Sequence, residues 1–579
     1  MQPPDPWNVL PIHPVWHYVG IEAAVVALAC IASWWKPWNR VMAKAERAMI
    51  ALSRRPYLSF FVIVAIGLVL RLALLAIRGI PTPIFHDEFS YLLASDTFHH
   101  LRLTNPQPPF PQAFETIHVN LWPTYQSMYM PGTGLVLAVG QFLGSPWISI
   151  VLTSSLFCAF VYWAASGYLA RHYALAVSMA AVVIAFNLNY WFDSYFCIGV
   201  QAIGGALVLG SLPRILRGMR WQETAPLGVG LGLLMLTRPV EGAALAIPSL
   251  LLLIWLLRRE GVIRIASLAA LPLLFVTVTG LWLLYYNWRG TGHPTLTPYV
   301  VNFNQYHVTG PFLFSRPRPI PFYRHESLRG LYVNYELARA QAYDQHPWQF
   351  LLLKAKVYYH TFFIGYGLLL LVGAAMVVRR QRGIALALVF AVSSFAVLSA
   401  MMAWYPFPQY GAPTAAAFFL LLGYGIFWLR RWRWSVFDGV ALSRGLVAAQ
   451  VLLAVNIFYG HLTHDKMSGN EWLASVERPR VTGILDDHPG KHICFVRYSP
   501  DHPPVEEWVY NSADPASQRI IWVRSLGAET DRRIMDAFPG RTPWLLRADL
   551  VVPQVQRYPD QDAAEQQAAL ASSSASPER

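Results

Sequence analysis

Long apolar runs separated by short polar links occupy most of the chain between about residues 17 and 460. A helix that crosses a bilayer needs about 20 mostly apolar residues. The candidate runs lie at about 17–35, 57–78, 147–170, 173–190, 196–212, 224–237, 242–257, 264–286, 348–378, 384–404, 411–429 and 443–460. The pattern therefore predicts an α-helical polytopic membrane protein with about twelve transmembrane helices.

Two long segments interrupt this pattern. The first, 79–146, contains an apolar stretch at 132–144 that is too short to span, so we interpret the stretch as an amphipathic or re-entrant helix at the membrane interface. The second, 287–347, is rich in Tyr, Asn, His and Pro. Loops of this size are uncommon in a protein that only spans a bilayer, and they suggest a chamber built on one face.

The sorting of basic residues predicts which face this is. Lys and Arg are concentrated in alternate links, among them 36–55, 214–220, 379–382 and 430–433, whereas 79–146 contains only Arg102 before the next basic link. Because cytoplasmic links carry the excess of Lys and Arg, both long loops are expected to be extracytoplasmic. The same parity places both chain termini outside.

From about residue 461 the composition becomes that of a soluble domain. KHICFVRY, EEWVYN, RIIWVRS and PWLLRADLVV are predicted to be short strands, and DRRIMDAF a helix. The predicted organisation has an N-terminal helix with a basic cytoplasmic link (1–56), a transmembrane domain (57–460), an extracytoplasmic α/β domain (461–558) and a low-complexity, disordered tail (559–579).

Composition agrees with a membrane protein and limits the partners. Hydrophobic residues make up 55% of the 579 residues and charged residues only 13%, which excludes a chain of soluble enzyme domains. The net charge is +13, but the segment from His461 onward has 13 Lys and Arg against 17 Asp and Glu. The positive excess therefore lies in the membrane links, where it reports topology, and it predicts no nucleic-acid partner.

The tetrapeptide Phe85-His86-Asp87-Glu88 is the sharpest chemical feature, because two adjacent carboxylates at a membrane rim are costly unless solvated or paired. A solvated loop charge is one interpretation. The other is catalytic: Asp87 would act as general base toward an acceptor hydroxyl, and Glu88 would orient it or bind a metal or a substrate hydroxyl. A divalent metal stays open at this point.

A cation is expected near such a base if the leaving group is a phosphate. Arg238 lies between two predicted helices at the outer face, with Glu241 close by, and a structural pair between the two is an equally good interpretation. Other candidate cations are Arg289, Arg316, Arg318, Arg324 and His325. The chain has no Walker loop, dinucleotide glycine pattern or GxSxG element, so the sequence gives no sign of a nucleotide-binding site. A substrate that carries the phosphate leaving group is therefore expected to arrive from within the membrane.

Three segments together carry a family resemblance. Asp87-Glu88, Tyr129-Met130-Pro131-Gly132-Thr133-Gly134 and Arg238-Pro239-Val240-Glu241-Gly242 resemble the C-type glycosyltransferase superfamily, which has the GT-C fold. The chain looks most like the bacterial branch akin to protein O-mannosyltransferases and the lipid A aminoarabinose transferase. The resemblance covers about 57–460.

The resemblance implies a bacterial inner-membrane enzyme that moves a hexosyl or pentosyl group from a polyprenyl-phosphate carrier to a lipid, glycan or protein acceptor, usually with inversion. It implies Asp87 as the base. Arg238, Glu241, Tyr129, Tyr410 and His86 are the expected substrate-binding residues. Met128 is a departure, because related sequences often have Lys there. The rival interpretations are a transporter or lipid flippase, and an inactive membrane scaffold.

Overall fold

The fold is known from a computed structural model that describes residues 14–187, 193–381, 383–403, 408–434, 437–464, 473–499, 502–503 and 506–559. The predicted disordered tail lies, beyond residue 559, outside the described residues. The described chain is largely helical. Its α-helices are α1 (Val15–Trp34), α2 (Lys36–Ser53), α3 (Pro56–Arg78), α4 (His86–His99), α5 (Pro131–Phe142), α6 (Pro146–Ala165), α7 (Arg171–Asn187), α8 (Ile198–Gly218), α9 (Ala225–Thr237), α10 (Pro239–Leu257), α11 (Val262–Thr291), α12 (Pro298–Tyr306), α13 (Glu326–Arg329), α14 (Ala338–Gln345), α15 (Pro347–Tyr358), α16 (Gly367–Arg380), α17 (Leu386–Met401), α18 (Ala415–Leu429), α19 (Gly439–His464), α20 (Leu473–Asp486) and α21 (Ala528–Ala537).

Among the described residues, eight helices are long and apolar enough to cross a membrane, which makes the chain a multi-pass membrane protein. They correspond to α1, α3, α6, α8, α10, α11, α18 and α19, and α7 and α17 contain shorter apolar stretches. The predicted helical membrane fold is confirmed, while the count of twelve spans stays a prediction. The predicted run 348–378 is divided between α15 and α16, which a π-helical turn at Tyr359–Phe363 separates.

The centre of the bundle is formed by α6, α8 and α18, whose side chains share one large apolar cluster. Glycines on α8 allow close approach of neighbouring backbone, as is common between membrane helices. At Gly205 an added Cβ would lie only 1.7 Å from the carbonyl oxygen of Pro413. This contact fixes the start of α18 against α8.

Of two shorter helices outside the long apolar runs, one was predicted and one was not. The predicted short helix at 132–144 is present as α5, begun by Pro131. The basic link after α1 is itself a helix, α2, whose only fully buried residue is Ser53. Lys36, Arg40, Lys44 and Arg47 interrupt its apolar positions, so no long apolar run marks it.

The two long loops meet at one end of the bundle. The first contains a small hairpin of β1 (Val119–Asn120) and β2 (Gln126–Ser127). The side-chain amide of Asn120 donates to the carbonyl of Pro298 at 2.8 Å, and Asn302 donates to Asn120 at 2.9 Å. These buried hydrogen bonds join the two loops into one structure, as expected for a built chamber.

The C-terminal domain is a small α/β unit. Its sheet has the order β6 (Ile520–Arg524), β5 (Lys491–Arg497), β7 (Arg541–Arg547) and β8 (Gln554–Arg557). The first three strands are parallel, and β8 is antiparallel to β7. Helix α21 connects β6 to β7, as predicted. A short β3–β4 hairpin (Arg433–Trp434, Phe437–Asp438) belongs instead to the link between α18 and α19.

One predicted strand is wrong. EEWVYN, residues 506–511, has no regular secondary structure and pairs with no strand among the described residues. The carboxylate of Glu507 accepts hydrogen bonds from the backbone N–H groups of Trp508 and Val509, at 3.0 and 2.9 Å. Arg478 donates to the carbonyls of Trp508 and Tyr510. Side chains therefore satisfy the backbone groups that a neighbouring strand would otherwise bind.

Candidate active site

Glu88 fixes the start of α4, the helix that carries the candidate base. One carboxylate oxygen accepts hydrogen bonds from the backbone N–H groups of Ile84 and Phe85, at 2.8 and 2.9 Å, which closes the N-terminus of the helix. The other oxygen accepts from the N–H of Tyr195 at 2.7 Å, which ties α4 to the segment before α8. Burial raises the pKa of Glu88 to about 7 although these donors favour the charged form. Glu88 therefore holds the backbone around the neighbouring Asp87.

Asp87 lies beside a histidine that comes from a distant part of the first loop. Its Oδ1 is 3.0 Å from Nδ1 of His118, and both side chains are about four-fifths buried. The backbone of His118 has φ +59°, an uncommon conformation for a residue with a side chain. Ser90 donates to its carbonyl at 2.7 Å, and the N–H of Met128 donates to the same oxygen at 3.2 Å. The surrounding structure thus holds the imidazole in place.

The charges around Asp87 keep it ionised. Burial raises the pKa of its carboxyl. The charge and hydrogen bond of His118, and then the charge of Arg238, lower the pKa by a larger amount. The net result is a pKa below the ordinary value for an aspartate. Asp87 is therefore a carboxylate at neutral pH, which is the form that can accept a proton.

Tyr129 belongs to the same cluster. Its hydroxyl lies 3.2 Å from Nδ1 of His118, and its ring stacks on Tyr91 with a centroid separation of 4.5 Å. Tyr91 is on α4, one turn after Asp87. The Tyr129 segment of the family resemblance is thus brought next to its Asp87 segment.

Arg238 ends α9 and precedes α10, directly at the boundary of the apolar span Pro239–Leu257. One guanidinium nitrogen is 3.4 Å from the carboxylate of Glu241, and the guanidinium carbon is 4.9 Å from the centre of the Tyr410 ring. The Nε of Arg238 is buried and has no hydrogen-bond partner in the described part of the chain. The pair with Glu241 exists, as one interpretation expected, but it leaves this donor unused.

Buried cations with an unused donor are suited to bind an anion, because guanidinium groups match the geometry of phosphate oxygens. Arg238 also acts electrostatically on Asp87 and on the hydroxyl of Tyr91. The structure therefore brings Arg238, Glu241 and Tyr410 to the group that contains Asp87.

His86 forms the wall of the site that faces the C-terminal domain. Its ring lies 6.1 Å from the ring of His118, and its Nδ1 is 2.7 Å from the hydroxyl of Tyr510. Burial lowers the pKa of His86 to about 3, so the imidazole is neutral. Asp87, Glu88 and the five predicted substrate-binding residues thus lie in one region. Of the other candidate cations, Arg324 and His325 lie instead beside Glu115.

Three participants were not predicted from the sequence. His118 belongs to no motif in the sequence, and Tyr510 lies in a segment predicted as a strand. Glu336, in the second loop, has a carboxylate oxygen 3.1 Å from Nδ1 of His307. Burial raises the pKa of Glu336, but His307 and then the charge of His118 lower it by more, so the net pKa is below the ordinary value. No local pattern marks any of them, since each depends on contacts between distant segments.

Two further expectations concern cations and metals. Met128, at the position where related sequences often have Lys, is 2% exposed, so an apolar side chain fills that interior position. Among the described residues, no group of three or more His, Cys, Asp or Glu side chains is arranged to hold a metal ion. The optional divalent metal is therefore assigned to no residues.

Comparison with known proteins returns structures but no sequence relatives. No family model and no curated protein matches the chain. ArnT from Cupriavidus metallidurans in the apo state is similar over 83% of this chain and 92% of its own, with 13% identity and a TM-score of 0.48. The same protein bound to undecaprenyl phosphate is similar over 84% and 92%, with 13% identity and a TM-score of 0.45. The archaeal oligosaccharyltransferase AglB from Archaeoglobus fulgidus, in complex with an inhibitory peptide and a dolichol-phosphate, is similar over 84% and 69%, with 10% identity and a TM-score of 0.45. With TM-scores below 0.5 and identities of 10 to 13%, these likenesses assign neither a family nor a role to the chain.

Proposed function

We propose that the chain is a membrane glycosyltransferase that moves a sugar from a polyprenyl-phosphate-linked donor to an acceptor hydroxyl. The observation that carries the proposal is that Asp87, largely buried and paired with His118, is an ionised carboxylate close enough to Arg238 for the charge of Arg238 to lower its pKa. A base and an anion-binding cation are the two groups that such a transfer needs. The family resemblance of the same two segments supports the assignment.

The chemistry follows from the two groups. Asp87 accepts the proton of the acceptor hydroxyl while the acceptor oxygen bonds to the anomeric carbon of the sugar. The bond between that carbon and the phosphate oxygen breaks, and its electron pair leaves with the phosphate. Attack from the face opposite the leaving group inverts the anomeric configuration. No strong general acid is needed, because the departing phosphate oxygen is stable as an anion.

Arg238 is placed to stabilise that anion. It immediately precedes the span Pro239–Leu257, so its guanidinium lies near the depth at which the phosphate of a membrane-embedded carrier would sit. Its unused Nε and its terminal nitrogens can bind phosphate oxygens as negative charge develops in the transition state. Tyr410, against the same guanidinium, limits where the phosphate can lie.

We further propose that the reaction takes place at the extracytoplasmic face of a bacterial inner membrane. The two long loops and the C-terminal domain meet at one end of the bundle, and the basic links lie at the other end of the predicted topology. The positive-inside rule assigns the basic end to the cytoplasm. The sugar donor would therefore be used after it has crossed the membrane.

A transporter or flippase would be expected to have charged groups along a path through the bilayer. The buried charges within the described helices are instead bonded locally. Arg71 pairs with Asp193 at 2.7 Å, and Glu22 accepts a hydrogen bond from the N–H of Gly367 at 3.0 Å. These contacts fix helices to one another and favour a static bundle with chemistry at one end.

The test is a reaction in proteoliposomes that contain the purified protein and a panel of polyprenyl-phosphate sugars carrying a radiolabel in the sugar. We expect release of free polyprenyl phosphate together with labelled acceptor or, with water as a poor acceptor, labelled free sugar. Nucleotide sugars should give no transfer. Movement of intact donor between leaflets without cleavage would identify a flippase and overturn the proposal.

A further inference from the structure

The C-terminal domain shares a hydrophobic core with the first outer loop. Side chains of the sheet and α21, including Ile521 and Ile534, pack with Leu93 of α4 and with Phe114 and Val119 of the loop. A separate buried cluster, which includes Val481, Trp508 and Leu546, lies wholly within the domain. A domain that was only tethered would contact its neighbour through polar surface. This domain is instead built onto the loop that carries Asp87.

Arg524, on β6, binds all three outer segments at once. Its guanidinium forms a buried pair with Glu507 of the C-terminal domain. It also donates to the carbonyl of Glu115 in the first loop at 2.6 Å and to the hydroxyl of Ser327 in the second loop at 2.8 Å. Since a buried charge is costly unless it is fully bonded, this residue strongly favours the docked arrangement.

The segment 510–513 contacts both ends of α4. Near the start of the helix, the hydroxyl of Tyr510 lies 2.7 Å from Nδ1 of His86, and its ring stacks on Phe89 at 4.1 Å with the planes nearly parallel. Near the end, the N–H of Ala513 donates to the carboxylate of Asp96 at 2.7 Å. A helix held at both ends cannot shift along its axis without breaking one of these contacts.

Tyr510 itself is held by its own domain. Arg478 donates to its carbonyl at 2.7 Å, and the Arg478 guanidinium lies 5.3 Å from the centre of the Phe89 ring. The segment 506–511, which was predicted to be a strand, therefore has a specific structural role. Its backbone is bound by Arg478 and Glu507 so that Tyr510 projects onto α4.

We propose that the C-terminal domain completes the active site, and that Tyr510 is a positioning residue that orients His86 and, through the first turn of α4, Asp87. This inference rests on the proposed function. His86 precedes Asp87 in the chain, and its ring faces the His118 ring edge to face at 6.1 Å. Movement of the His86 ring would therefore disturb the spacing between Asp87 and His118 on which the ionised base depends.

Tyr510→Phe tests this role, because it removes the hydroxyl and keeps the ring that stacks on Phe89. Tyr558→Phe is the matched control, because it also removes a tyrosine hydroxyl from the C-terminal domain. That hydroxyl donates to the carboxylate of Asp531, on α21, at 2.8 Å. Loss of one positioning hydrogen bond should lower kcat by about 3- to 10-fold in Tyr510→Phe. The affinity for donor should be unchanged, because the Arg238 contacts are untouched.

A merely structural role would not move the pH profile. If Tyr510 positions the base, weaker pairing between Asp87 and His118 should shift the acidic limb of the kcat/KM profile to higher pH in Tyr510→Phe. The control should keep the wild-type profile. Equal kcat and equal pH profiles for both variants, with melting temperatures lowered alike, would overturn the inference.

Selective isotope labelling of histidine gives a readout that needs no turnover. In the wild-type protein the Nδ1 signal of His86 should report a hydrogen bond, and this signal should change in Tyr510→Phe but not in Tyr558→Phe. An unchanged signal would overturn the inference even in an active enzyme. Absence of sugar transfer in the wild-type protein would instead contradict the proposed function, and the histidine signal would still decide the role of Tyr510.

Discussion

The carboxylate of Asp87 lies 3.0 Å from the imidazole of His118, although one residue begins a helix and the other precedes a short hairpin. This pair joins two parts of the first outer loop and gives the aspartate a partner that favours its charged form. Burial alone would raise the pKa of Asp87, so the partner decides whether the group can act as a base. The pH dependence of the reaction should therefore depend on His118.

His118→Gln keeps hydrogen-bonding capacity but removes the imidazole that lowers the pKa of Asp87. Because burial of Asp87 remains, its pKa should rise, and the rate should be lost at a higher pH as the medium is acidified. We expect the acidic limb of the kcat/KM profile to move up by about one pH unit or more. His100→Gln, on the exposed end of α4, should leave the limb in place. If the acidic limb of the His118→Gln profile stays at the wild-type pH, His118 does not set the pKa of Asp87.

Arg238 should bind the carrier phosphate. Lys keeps the charge but loses the planar fork, so Arg238→Lys should bind polyprenyl phosphate more weakly than wild type. Arg238→Ala should bind about 10- to 100-fold more weakly. Arg329→Ala is the control, since Arg329 pairs with Glu326 at the exposed surface. Equal affinity in all the proteins, measured by calorimetry in detergent, would transfer the phosphate role to an arginine of the second loop.

Glu88 should act mainly through structure. In Glu88→Gln only one of the two side-chain oxygens remains an acceptor, so at least one of the three bound N–H groups loses its partner. We expect a loss of about 1–3 kcal/mol in stability, seen as a lower Tm. The rate per folded molecule should fall much less than in Asp87→Asn. A large rate loss at unchanged Tm would show that Glu88 takes part directly in the reaction.

Topology can be tested by labelling with a membrane-impermeant thiol reagent. The native cysteines are buried or partly buried, and a Cys-free background removes them. Gln107→Cys, in the first loop, and Ser517→Cys, in the C-terminal domain, should react from outside because both positions are exposed. Glu260→Cys, between α10 and α11, should react only after permeabilisation. The reverse pattern would place the candidate site in the cytoplasm.

The apolar helices could be predicted from the sequence because their signal is local. Runs such as 57–78 and 147–170 coincide closely with α3 and α6, since a spanning helix must be apolar along its whole length. The helix α2 was not predicted because basic residues between Lys36 and Arg47 interrupt its apolar positions. EEWVYN was mispredicted because its β-prone residues satisfy their backbone groups with Glu507 and Arg478, which no local pattern reveals.

The same distinction applies to the site. Asp87 and Arg238 could be proposed from the sequence because carboxylates and cations at helix ends near a membrane are unusual in themselves. His118, Glu336 and Tyr510 could not, because their roles arise from the docking of three separate outer segments. Their positions depend on contacts such as those of Arg524, which joins segments far apart in the chain.

The rate of sugar transfer by Asp87→Asn tests the central claim most directly. The change keeps the shape of the side chain but removes its ability to accept a proton, and Asp344→Asn, an exposed position in the second loop, is the control. We predict that transfer from a polyprenyl-phosphate donor falls by about 10²- to 10⁴-fold in Asp87→Asn, with wild-type melting temperature and donor affinity. Near-normal transfer by the folded Asp87→Asn protein would contradict the account, because it would show that Asp87 is not the base.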